Sequence, residues 1–360
     1  MSLWPYLTMG GISLLAGTLL LPVAIRLSKR YDLLDRPGRH KRHKRPVPIL
    51  GGAAMFISFW AASGFVTVVF PQVFGEHLHS LLYVLAGSLI IFLVGLSDDL
   101  SPLSAWVKLA AEVAAGLVLY LGGLKIDPLT VPFVGSVAVG SLSPLITVVW
   151  VVGLSNAINL IDGLDGLAAG VSLVGAISLA VVGGIFGIET VVLYACGLIG
   201  FLIVFLVFNR YPARIFLGDS GALQLGFYFA VISLLVPIRT FTATALYLPL
   251  LTLAVPILET IVSFSRRLAA GRNVMKADRR HLFHYLALAG LSPRRIVVVF
   301  YAISTVFGLF AVAMIYLNRR WVFAFLVLFM VVIFAAFYIL MANLNRPRHG
   351  LSHTDRRQGQ

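Results

Sequence analysis

The sequence predicts an all-α integral membrane protein whose helices cross the bilayer about eleven times. Of the 360 residues, 59% are hydrophobic and only 12% are charged, whereas an average soluble chain has about 25% charged residues. Apolar runs long enough to cross a hydrocarbon core of about 30 Å recur along the whole chain, and helices satisfy their own backbone hydrogen bonds in lipid. No stretch between these runs is long enough for a separate core. We therefore expect one membrane domain at 1–345 and a basic cytoplasmic tail at 346–360.

The first apolar run, Leu3 to Leu27, is predicted to be a membrane span rather than a signal peptide. Its basic residues, which include Arg26 and Lys29, follow the run instead of preceding it, and no small-residue cleavage site ends it. This arrangement indicates an uncleaved span with the N-terminus outside. Ten further spans are predicted at about 48–70, 81–97, 105–123, 141–159, 166–188, 190–208, 220–239, 243–265, 294–317 and 321–341.

The distribution of Lys and Arg predicts the orientation of these spans. If the loop at 28–47 is cytoplasmic, 24 of the 28 Lys and Arg residues fall on the cytoplasmic side. The other side holds Lys125, Arg239, Arg319 and Arg320. Cytoplasmic loops of membrane proteins are enriched in these residues, so the C-terminus is also predicted to be cytoplasmic. The net charge of +14 then reflects topology and attraction to anionic lipids, and it requires no nucleic-acid partner.

Six aspartates share the cytoplasmic side, although they come from four separate loops. They are Asp98, Asp99, Asp162, Asp165, Asp219 and Asp278. A carboxylate at mid-bilayer costs roughly 2.5–3.5 kcal/mol, so acids this close to membrane spans need a reason. If these acids act together, the fold must bring the four loops to one place.

The densest polar motif lies between two long apolar runs. It consists of Asn156, Asn159, Asp162 and Asp165. A spacing of three puts successive members on adjoining faces of a helix. Gly163 and Gly166 loosen the backbone beside each aspartate and permit a ligand to approach closely. The motif indicates a site for a cation and a polar substrate; the alternative is a polar turn that caps two helices.

A second motif is the Asp98-Asp99 pair, which precedes Lys108 and Glu112. Adjacent carboxylates repel unless a cation or a proton lies between them, so the pair favours Mg²⁺ or a raised pKa. Lys108 is suited to return positive charge to the site or to bind phosphate. For Glu112 two uses stay open, an ion pair with Lys108 and a catalytic role.

A third motif runs from Asn209 to Asp219-Ser220. A carboxylate at a helix start, where backbone N–H groups point, is a candidate seat for Mg²⁺ and phosphate. The alternative is that Asp219 is only the N-cap of the eighth span. Phe216 is either a ring that stacks on a base or an aromatic residue at the membrane interface.

Two basic loops complete the candidates. One, at 35–48, contains Lys41 and His43, and the other, at 276–285, contains Arg280, His281 and His284. Both suit an anionic phosphate group, and both are also explained by anchoring at the lipid surface. A zinc site is disfavoured because no Cys or Glu stands at ligand spacing.

In their order along the chain these motifs resemble the polyprenyl-phosphate N-acetylhexosamine-1-phosphate transferases, and specifically the WecA/TagO-like branch. The resemblance implies a reaction at the cytoplasmic face of a bacterial inner membrane. Undecaprenyl phosphate would attack a UDP-N-acetylhexosamine and release UMP, the initiating step of a cell-envelope glycan. Mg²⁺, or Mn²⁺ in its place, would be the cofactor.

The resemblance also implies a role for each candidate. Asn159 and Asp219 would hold the metal, and Asp98 or Asp99 would serve the attacking phosphate. The nucleotide would be held by Phe216, Asn209, Asp162 and Asp165. The diphosphate or sugar would be bound by Arg280, His281 and His284, and the substrate-binding set is completed by Lys41, His43, Lys108 and Asn156.

The chain departs from this family at one position and leaves several properties open. Phe283 stands where members of this branch usually have a histidine, and the longer His-rich loop of the muramyl-pentapeptide branch is absent. UDP-N-acetylglucosamine is therefore favoured over UDP-MurNAc-pentapeptide, with UDP-N-acetylgalactosamine or a modified sugar still open. A membrane transporter is the alternative from another class, and the one-sided clustering of the acids argues against it. The oligomeric state, a homodimer included, is not fixed by the sequence.

Overall fold

The computed structural model describes residues 2–37, 45–73, 78–131, 135–235, 251, 253–269 and 282–345. Twelve α-helices account for most of these residues. They are α1 Trp4–Arg30, α2 Gly51–Val69, α3 Leu78–Leu100, α4 Ala105–Leu121, α5 Ser143–Ile161, α6 Leu167–Phe186, α7 Glu189–Asn209, α8 Gly218–Leu234, α9 Ala254–Ala269, α10 Leu282–Leu288, α11 Pro293–Tyr316 and α12 Arg319–Asn345.

The prediction of a polytopic helical membrane protein is confirmed. Among the described residues, seven helices are long and apolar enough to cross a membrane, and α1, α3 and α11 are among them. The span predicted at 243–265 begins outside the described residues, where α9 is seen only from Ala254. The total of eleven spans and the orientation of the termini stay predictions.

Two short β-hairpins depart from the all-α prediction. The first pairs β1 (Leu34–Asp35) with β2 (Val47–Pro48), and the second pairs β3 (Leu129–Val131) with β4 (Gly135–Val137). Both pairs are antiparallel. The β1–β2 hairpin matters for the site because it fixes the segment that enters α2.

Helix α8 is the centre of the bundle. Every residue from Ser220 to Ser233 is buried, so this helix has no amphipathic stripe and is surrounded by protein on all sides. Its main neighbours in the bundle are α3 and α5. Glycines permit the close approach, since a Cβ on Gly226 would collide with the backbone of α5 at Leu154, and one on Gly95 would collide with Ser220. The N-terminus of α8 is therefore held within reach of the end of α3.

A buried polar network joins α2, α3 and α8 deep in the bundle. The indole of Trp60 donates a hydrogen bond to the Ser88 hydroxyl at 2.9 Å. The amide of Gln224 donates to Ser88 and to the Tyr228 hydroxyl, each at 3.0 Å. Polar side chains that bond across helices hold membrane bundles together. This network fixes how α8 is rotated about its own axis.

Candidate active site

The site begins at the junction of α3 and α4. The Asp98 carboxylate accepts a hydrogen bond from the Leu103 N–H at 2.7 Å, which fixes the short connection between the two helices. Helix α4 starts after Ser104, whose hydroxyl accepts from the Val107 N–H as an N-cap. This start places Lys108 one turn into α4, with its ammonium 3.2 Å from Asp98.

Lys108 joins two carboxylates from distant parts of the sequence. Its Nζ atom lies 2.8 Å from the Asp219 carboxylate as well as contacting Asp98. The side chains of Lys108, Asp98 and Asp219 are 24%, 15% and 27% exposed, so a ligand can reach all three. Lys108 thus returns positive charge to Asp98 and Asp219, and the Mg²⁺ suggested by the Asp98-Asp99 pair stays a prediction.

Asp99 caps helix α8 from the end of α3. Its two carboxylate oxygens accept from the Asp219 N–H at 2.7 Å, the Ser220 N–H at 3.1 Å and the Ser220 hydroxyl at 2.6 Å. The alternative in which Asp219 is itself the N-cap is wrong, because the N-cap position is Leu217 and has no side-chain cap bond. The Asp219 carboxylate is consequently left for Lys108.

The four-residue Asn/Asp motif is split between a helix and a turn. Helix α5 contains Asn156 and Asn159 but ends at Ile161, and Asp162 is its C-cap. The helical spacing therefore applies only to Asn156 and Asn159, and Asp162 and Asp165 lie in the turn between α5 and α6, which the predicted spans at 141–159 and 166–188 leave between them. The turn is closed by Gly166, whose φ of +80° is a conformation that glycine adopts without strain.

The pKa of Asp162 shows that several acidic side chains lie close together. It lies outside the predicted spans, and burial raises the pKa of its carboxyl to about 7, with the negative charges of Asp219, Asp99 and Asp165 raising it further. Desolvation and like charge both disfavour an ionised carboxylate. Acids from the end of α3, the α5–α6 turn and the start of α8 therefore form one electrostatic cluster.

Asn156 is engaged with a buried glutamate. Its amide donates to the Glu112 carboxylate at 2.5 Å and to the Val152 carbonyl at 2.9 Å. Glu112 is only 2% exposed, and among the described residues its carboxylate is hydrogen-bonded to Asn156 rather than paired with Lys108. The ion pair with Lys108 considered from the sequence is thus not formed, and Glu112 connects α4 to α5 beside the acids.

Asn209 and Asp165 hold two loops together. The Asn209 side chain is 3% exposed, accepts from the Gly166 N–H at 2.9 Å and donates to the Ile215 carbonyl at 2.8 Å. Asp165 accepts from the Ala213 N–H at 2.9 Å. Both ends of the Asn209 amide are occupied, so this residue can act on a ligand only through the loops that it positions.

The glycines at the start of α2 dock onto the segment before α8. The Gly51 N–H donates to the Phe216 carbonyl at 3.1 Å, and the Gly52 N–H donates to the Leu217 carbonyl at 2.9 Å. The Phe216 N–H donates to the Pro48 carbonyl at 2.8 Å. A Cβ on Gly52 would collide with the backbone of Gly221, so the Gly-Gly pair is needed for this contact. Phe216 is thereby fixed next to α8, with its ring half-buried.

The late basic loop reaches the site through Phe283. This side chain is 3% exposed and packs on Gly163, where a Cβ would collide with the ring. The His284 ring lies 4.3 Å from the Phe283 ring, measured between centroids. Four predicted substrate-binding residues of the basic loops lie outside the described residues: Lys41, His43, Arg280 and His281.

Tyr301 of α11 is a residue that the sequence analysis missed. Its hydroxyl donates to the Gly166 carbonyl at 2.6 Å, so it supports the turn that carries Asp162 and Asp165. Its ring packs on Gly170, where a Cβ would collide with it. A tyrosine inside an apolar helix belongs to no recognisable motif, so its contact with the turn could be found only in the structure.

The donors present suit Mg²⁺ better than a metal caged by protein alone. Within the described residues no group of three or more His, Cys, Asp or Glu side chains could hold a metal ion. Asp219 has a partly exposed carboxylate, and Asn159 is half-buried near the end of α5, three residues before Asp162. Mg²⁺ is commonly held by one or two carboxylates together with substrate phosphates. The arrangement therefore fits an ion that brings phosphate ligands with it.

The sequence is similar to one family of known enzymes and to several individual members. Residues 81–237 match a family described as glycosyl transferase family 4. A probable undecaprenyl-phosphate N-acetylglucosaminyl 1-phosphate transferase of Bacillus subtilis is 34% identical over 84% of this chain and 83% of its own. The decaprenyl-phosphate N-acetylglucosaminephosphotransferase of Mycobacterium leprae is 32% identical over 82% and 80% of the two chains. The undecaprenyl-phosphate alpha-N-acetylglucosaminyl 1-phosphate transferase of Escherichia coli K12 is 27% identical over 78% and 76%.

Proposed function

Since the chain belongs to glycosyl transferase family 4, we propose that it transfers N-acetylglucosamine-1-phosphate from UDP-N-acetylglucosamine to undecaprenyl phosphate. Relatives that align over most of the chain have names that state this activity with undecaprenyl or decaprenyl phosphate as acceptor. The observation that carries the proposal is the Lys108 ammonium held between Asp98 and Asp219. It places a cation and two reachable carboxylates at one point, as phosphoryl transfer requires.

The reaction is a displacement at phosphorus. An oxygen of the polyprenyl phosphate forms a bond to the sugar-bearing phosphorus of the UDP-sugar. The bond between that phosphorus and the oxygen bridging to UMP breaks, and UMP leaves with this oxygen. Catalysis of such a step consists mainly of positioning and charge neutralisation.

Asp219 and Asn159 are the residues proposed to hold Mg²⁺. When bound, the ion neutralises negative charge on the diphosphate. With a diphosphate bound, the Lys108 ammonium would be able to leave Asp219 and donate to a phosphate oxygen. Both partners of the Lys108–Asp219 ion pair thus have a task once substrate is bound.

Asp98 is the better candidate for serving the attacking phosphate. Asp99 has both carboxylate oxygens bonded to the N-terminus of α8. Asp98 also has both oxygens engaged, one with the Leu103 backbone and one with Lys108, but the Lys108 ammonium is proposed to turn to a phosphate oxygen and would then leave an Asp98 oxygen for the substrate. Asp99 acts by positioning Asp219.

The nucleotide is proposed to lie over the α5–α6 turn and the segment before α8. Asp162, Asp165 and Phe216 come from these two segments, which Asn209 joins through Gly166 and Ile215. Asn156 supports the same end of α5 through Glu112. Lys41, His43, Arg280, His281 and His284 remain candidates for binding the phosphates or the sugar.

The site is proposed to face the cytoplasm from a bacterial inner membrane. The 24 Lys and Arg residues on one side of the predicted topology support this orientation. UDP-sugars are charged and water-soluble, so a site on the same side as the basic loops can receive them directly. Mg²⁺ is the proposed cofactor, with Mn²⁺ as the substitute to compare.

The test is release of UMP by purified protein supplied with UDP-N-acetylglucosamine, undecaprenyl phosphate and Mg²⁺. Asp219→Asn is the variant, and Asp127→Asn, an aspartate outside the acid cluster, is the matched control. We expect UMP that depends on lipid and metal from the wild type and the control, and none from Asp219→Asn. No UMP from folded wild-type protein with any UDP-sugar in a panel would overturn the proposal.

A further inference from the structure

A positively charged cavity lies between α1, β2 and the loop that follows α7, and the proposed reaction does not use it. Its volume is about 460 Å³, within the range of roughly 300–1,000 Å³ typical of ligand pockets. Four cations line it: Arg26, Lys29, Arg45 and Arg214. No carboxylate is among the described residues that line it. Among the described residues, Arg26, Lys29 and Arg214 have no ion-pair partner, so the charge of these three is available to an anionic ligand.

The cavity combines this charge with an apolar wall. Pro22 and Ile25 of α1 and Phe208 of α7 line the same space as the cations. Arg26 and Lys29 lie near the end of α1, whose preceding turns are apolar. A ligand that fits must therefore have an anionic group and tolerate an apolar neighbourhood.

An exposed apolar stripe of α1 runs next to the residues that line this cavity, since Val23 and Leu27 directly follow Pro22 and Arg26 in the sequence. Leu19, Val23 and Leu27 are 63%, 43% and 40% exposed, and their spacing of four places them on one stripe of the helix. In a membrane-spanning helix such a stripe faces acyl chains. The cations then lie at the depth of lipid headgroups, beside a path for the chains.

We propose that this cavity binds the phosphate headgroup of an anionic membrane phospholipid. Guanidinium groups bind phosphate oxygens through charge-assisted, often bidentate hydrogen bonds. Basic pockets between membrane helices on the cytoplasmic side are suited to anionic headgroups. The proposal differs from the general attraction of basic loops to a negative surface because it assigns one lipid to one cavity.

The walls of the cavity are bonded to the candidate active site. Pro48 lines the cavity, and its carbonyl accepts from the Phe216 N–H at 2.8 Å. Ala213 also lines it, and its N–H donates to Asp165 at 2.9 Å. A bound headgroup would therefore steady the segment that leads into α8. This inference goes beyond the proposed transferase activity and does not depend on it.

The experiment measures retained lipid rather than catalysis. Protein is reconstituted in nanodiscs of phosphatidylcholine with phosphatidylglycerol, and bound phosphatidylglycerol is counted and titrated by native mass spectrometry. The test variant is Arg26→Gln/Arg214→Gln. The matched control is Arg30→Gln/Arg210→Gln, which removes the same charge from the same helix end and loop at positions that do not line the cavity.

We expect the test variant to lose one tightly held phosphatidylglycerol and to bind it about tenfold or more weakly than the wild type and the control. Arg214 is exposed, so Arg214→Gln alone compared with Arg210→Gln keeps the fold and gives the same contrast. Equal weakening in test and control variants would show bulk charge attraction and overturn the proposal, as would unchanged binding in both.

Two competitors separate the sources of phosphate. Inorganic phosphate at the concentration of the lipid should leave phosphatidylglycerol bound, because it cannot use the acyl-chain path along α1. Displacement by inorganic phosphate would show a site for free phosphate and overturn the lipid assignment. If the test variant instead loses undecaprenyl phosphate and keeps phosphatidylglycerol, the cavity belongs to the acceptor site and the proposal fails.

Discussion

Ser220 donates two hydrogen bonds to one carboxylate oxygen of Asp99, from its backbone N–H at 3.1 Å and from its hydroxyl at 2.6 Å. The adjacent Asp98 accepts no hydrogen bond from the backbone of α8 and instead binds Lys108 at 3.2 Å and the Leu103 N–H at 2.7 Å. Two neighbouring aspartates of the same motif therefore have different tasks. Asp99 fixes the start of α8, and Asp98 holds Lys108, from which it is proposed to serve the substrate.

This difference predicts opposite outcomes for the two amides. Asp99→Asn should lower the stability of the fold by about 1–3 kcal/mol, because buried N–H groups lose a charged acceptor. Asp98→Asn should keep the stability and lose activity by about a hundredfold or more. Thermal unfolding in detergent and UMP release measure the two effects. Wild-type stability of Asp99→Asn would contradict the capping role.

Lys108→Gln is expected to lower kcat/KM about a hundredfold, since it removes the cation that joins Asp98 and Asp219 and the donor proposed for a phosphate oxygen. Lys125→Gln, which removes a lysine outside the acid cluster, is the control and should leave kcat/KM unchanged. Initial rates of UMP release at saturating Mg²⁺ give both values. Equal kcat/KM values for Lys108→Gln and the wild type would contradict the proposed role of Lys108.

Gly163→Ala should destabilise the protein by about 1–3 kcal/mol, because the new Cβ would collide with the Phe283 ring. Gly153 has open space around its Cα, so Gly153→Ala is the matched control and should be neutral or stabilising. Truncating the ring, in Gly163→Ala/Phe283→Ala, should restore part of the loss through non-additivity. Additive unfolding energies would show that the two residues do not touch.

Tyr301→Phe is expected to lower kcat several-fold with little change in fold, since it removes the hydrogen bond to the Gly166 carbonyl and loosens the turn that bears Asp162 and Asp165. The stability cost should be about 0.5–1.5 kcal/mol. Tyr316→Phe, at an exposed tyrosine of the same helix, is the control. Similar kcat values for the two variants would argue against a positioning role for Tyr301.

The Asp162 carboxyl predicts a dependence of stability on pH. Its pKa is raised from an ordinary 3.8 to about 7 in the folded protein, so the folded state binds more protons than the unfolded chain between these values. Stability must then fall as pH rises through this window. The unfolding temperature of the wild type relative to Asp162→Asn should decrease from pH 5 to pH 8 in the absence of Mg²⁺ and nucleotide. A difference that stays constant with pH would contradict the raised pKa.

The sequence predicted the helical bundle because long apolar runs are a strong signal of membrane-spanning helices. It indicated the acidic residues of the site because charged residues are rare in and beside such helices. It predicted less well where local spacing and tertiary contact compete. The interval of three in the Asn/Asp motif suggested adjoining helical faces, but the helix ends at Ile161, so Asp162 and Asp165 lie in the turn between α5 and α6.

Partners that depend on packing could not be read from the sequence. Glu112 lies one turn from Lys108, yet α5 brings Asn156 against it instead. The sequence gives no reason to assign different roles to the adjacent residues Asp98 and Asp99. Their roles differ because only Asp99 accepts hydrogen bonds from the start of α8. The hydroxyl of Tyr301 donates to a carbonyl that is 135 residues away in the sequence, and no local sequence motif predicts a contact over that separation.

The burial of α8 from Ser220 to Ser233 also has a consequence for how the chain is made. A helix segment covered on every side has no surface of its own to offer to lipid, and this one also contains Gln224. Its main neighbours, α3 and α5, both precede it in the chain and leave the ribosome first. The cleft that receives α8 can thus form before α8 is synthesised. The helices are therefore made in the order in which the bundle can assemble.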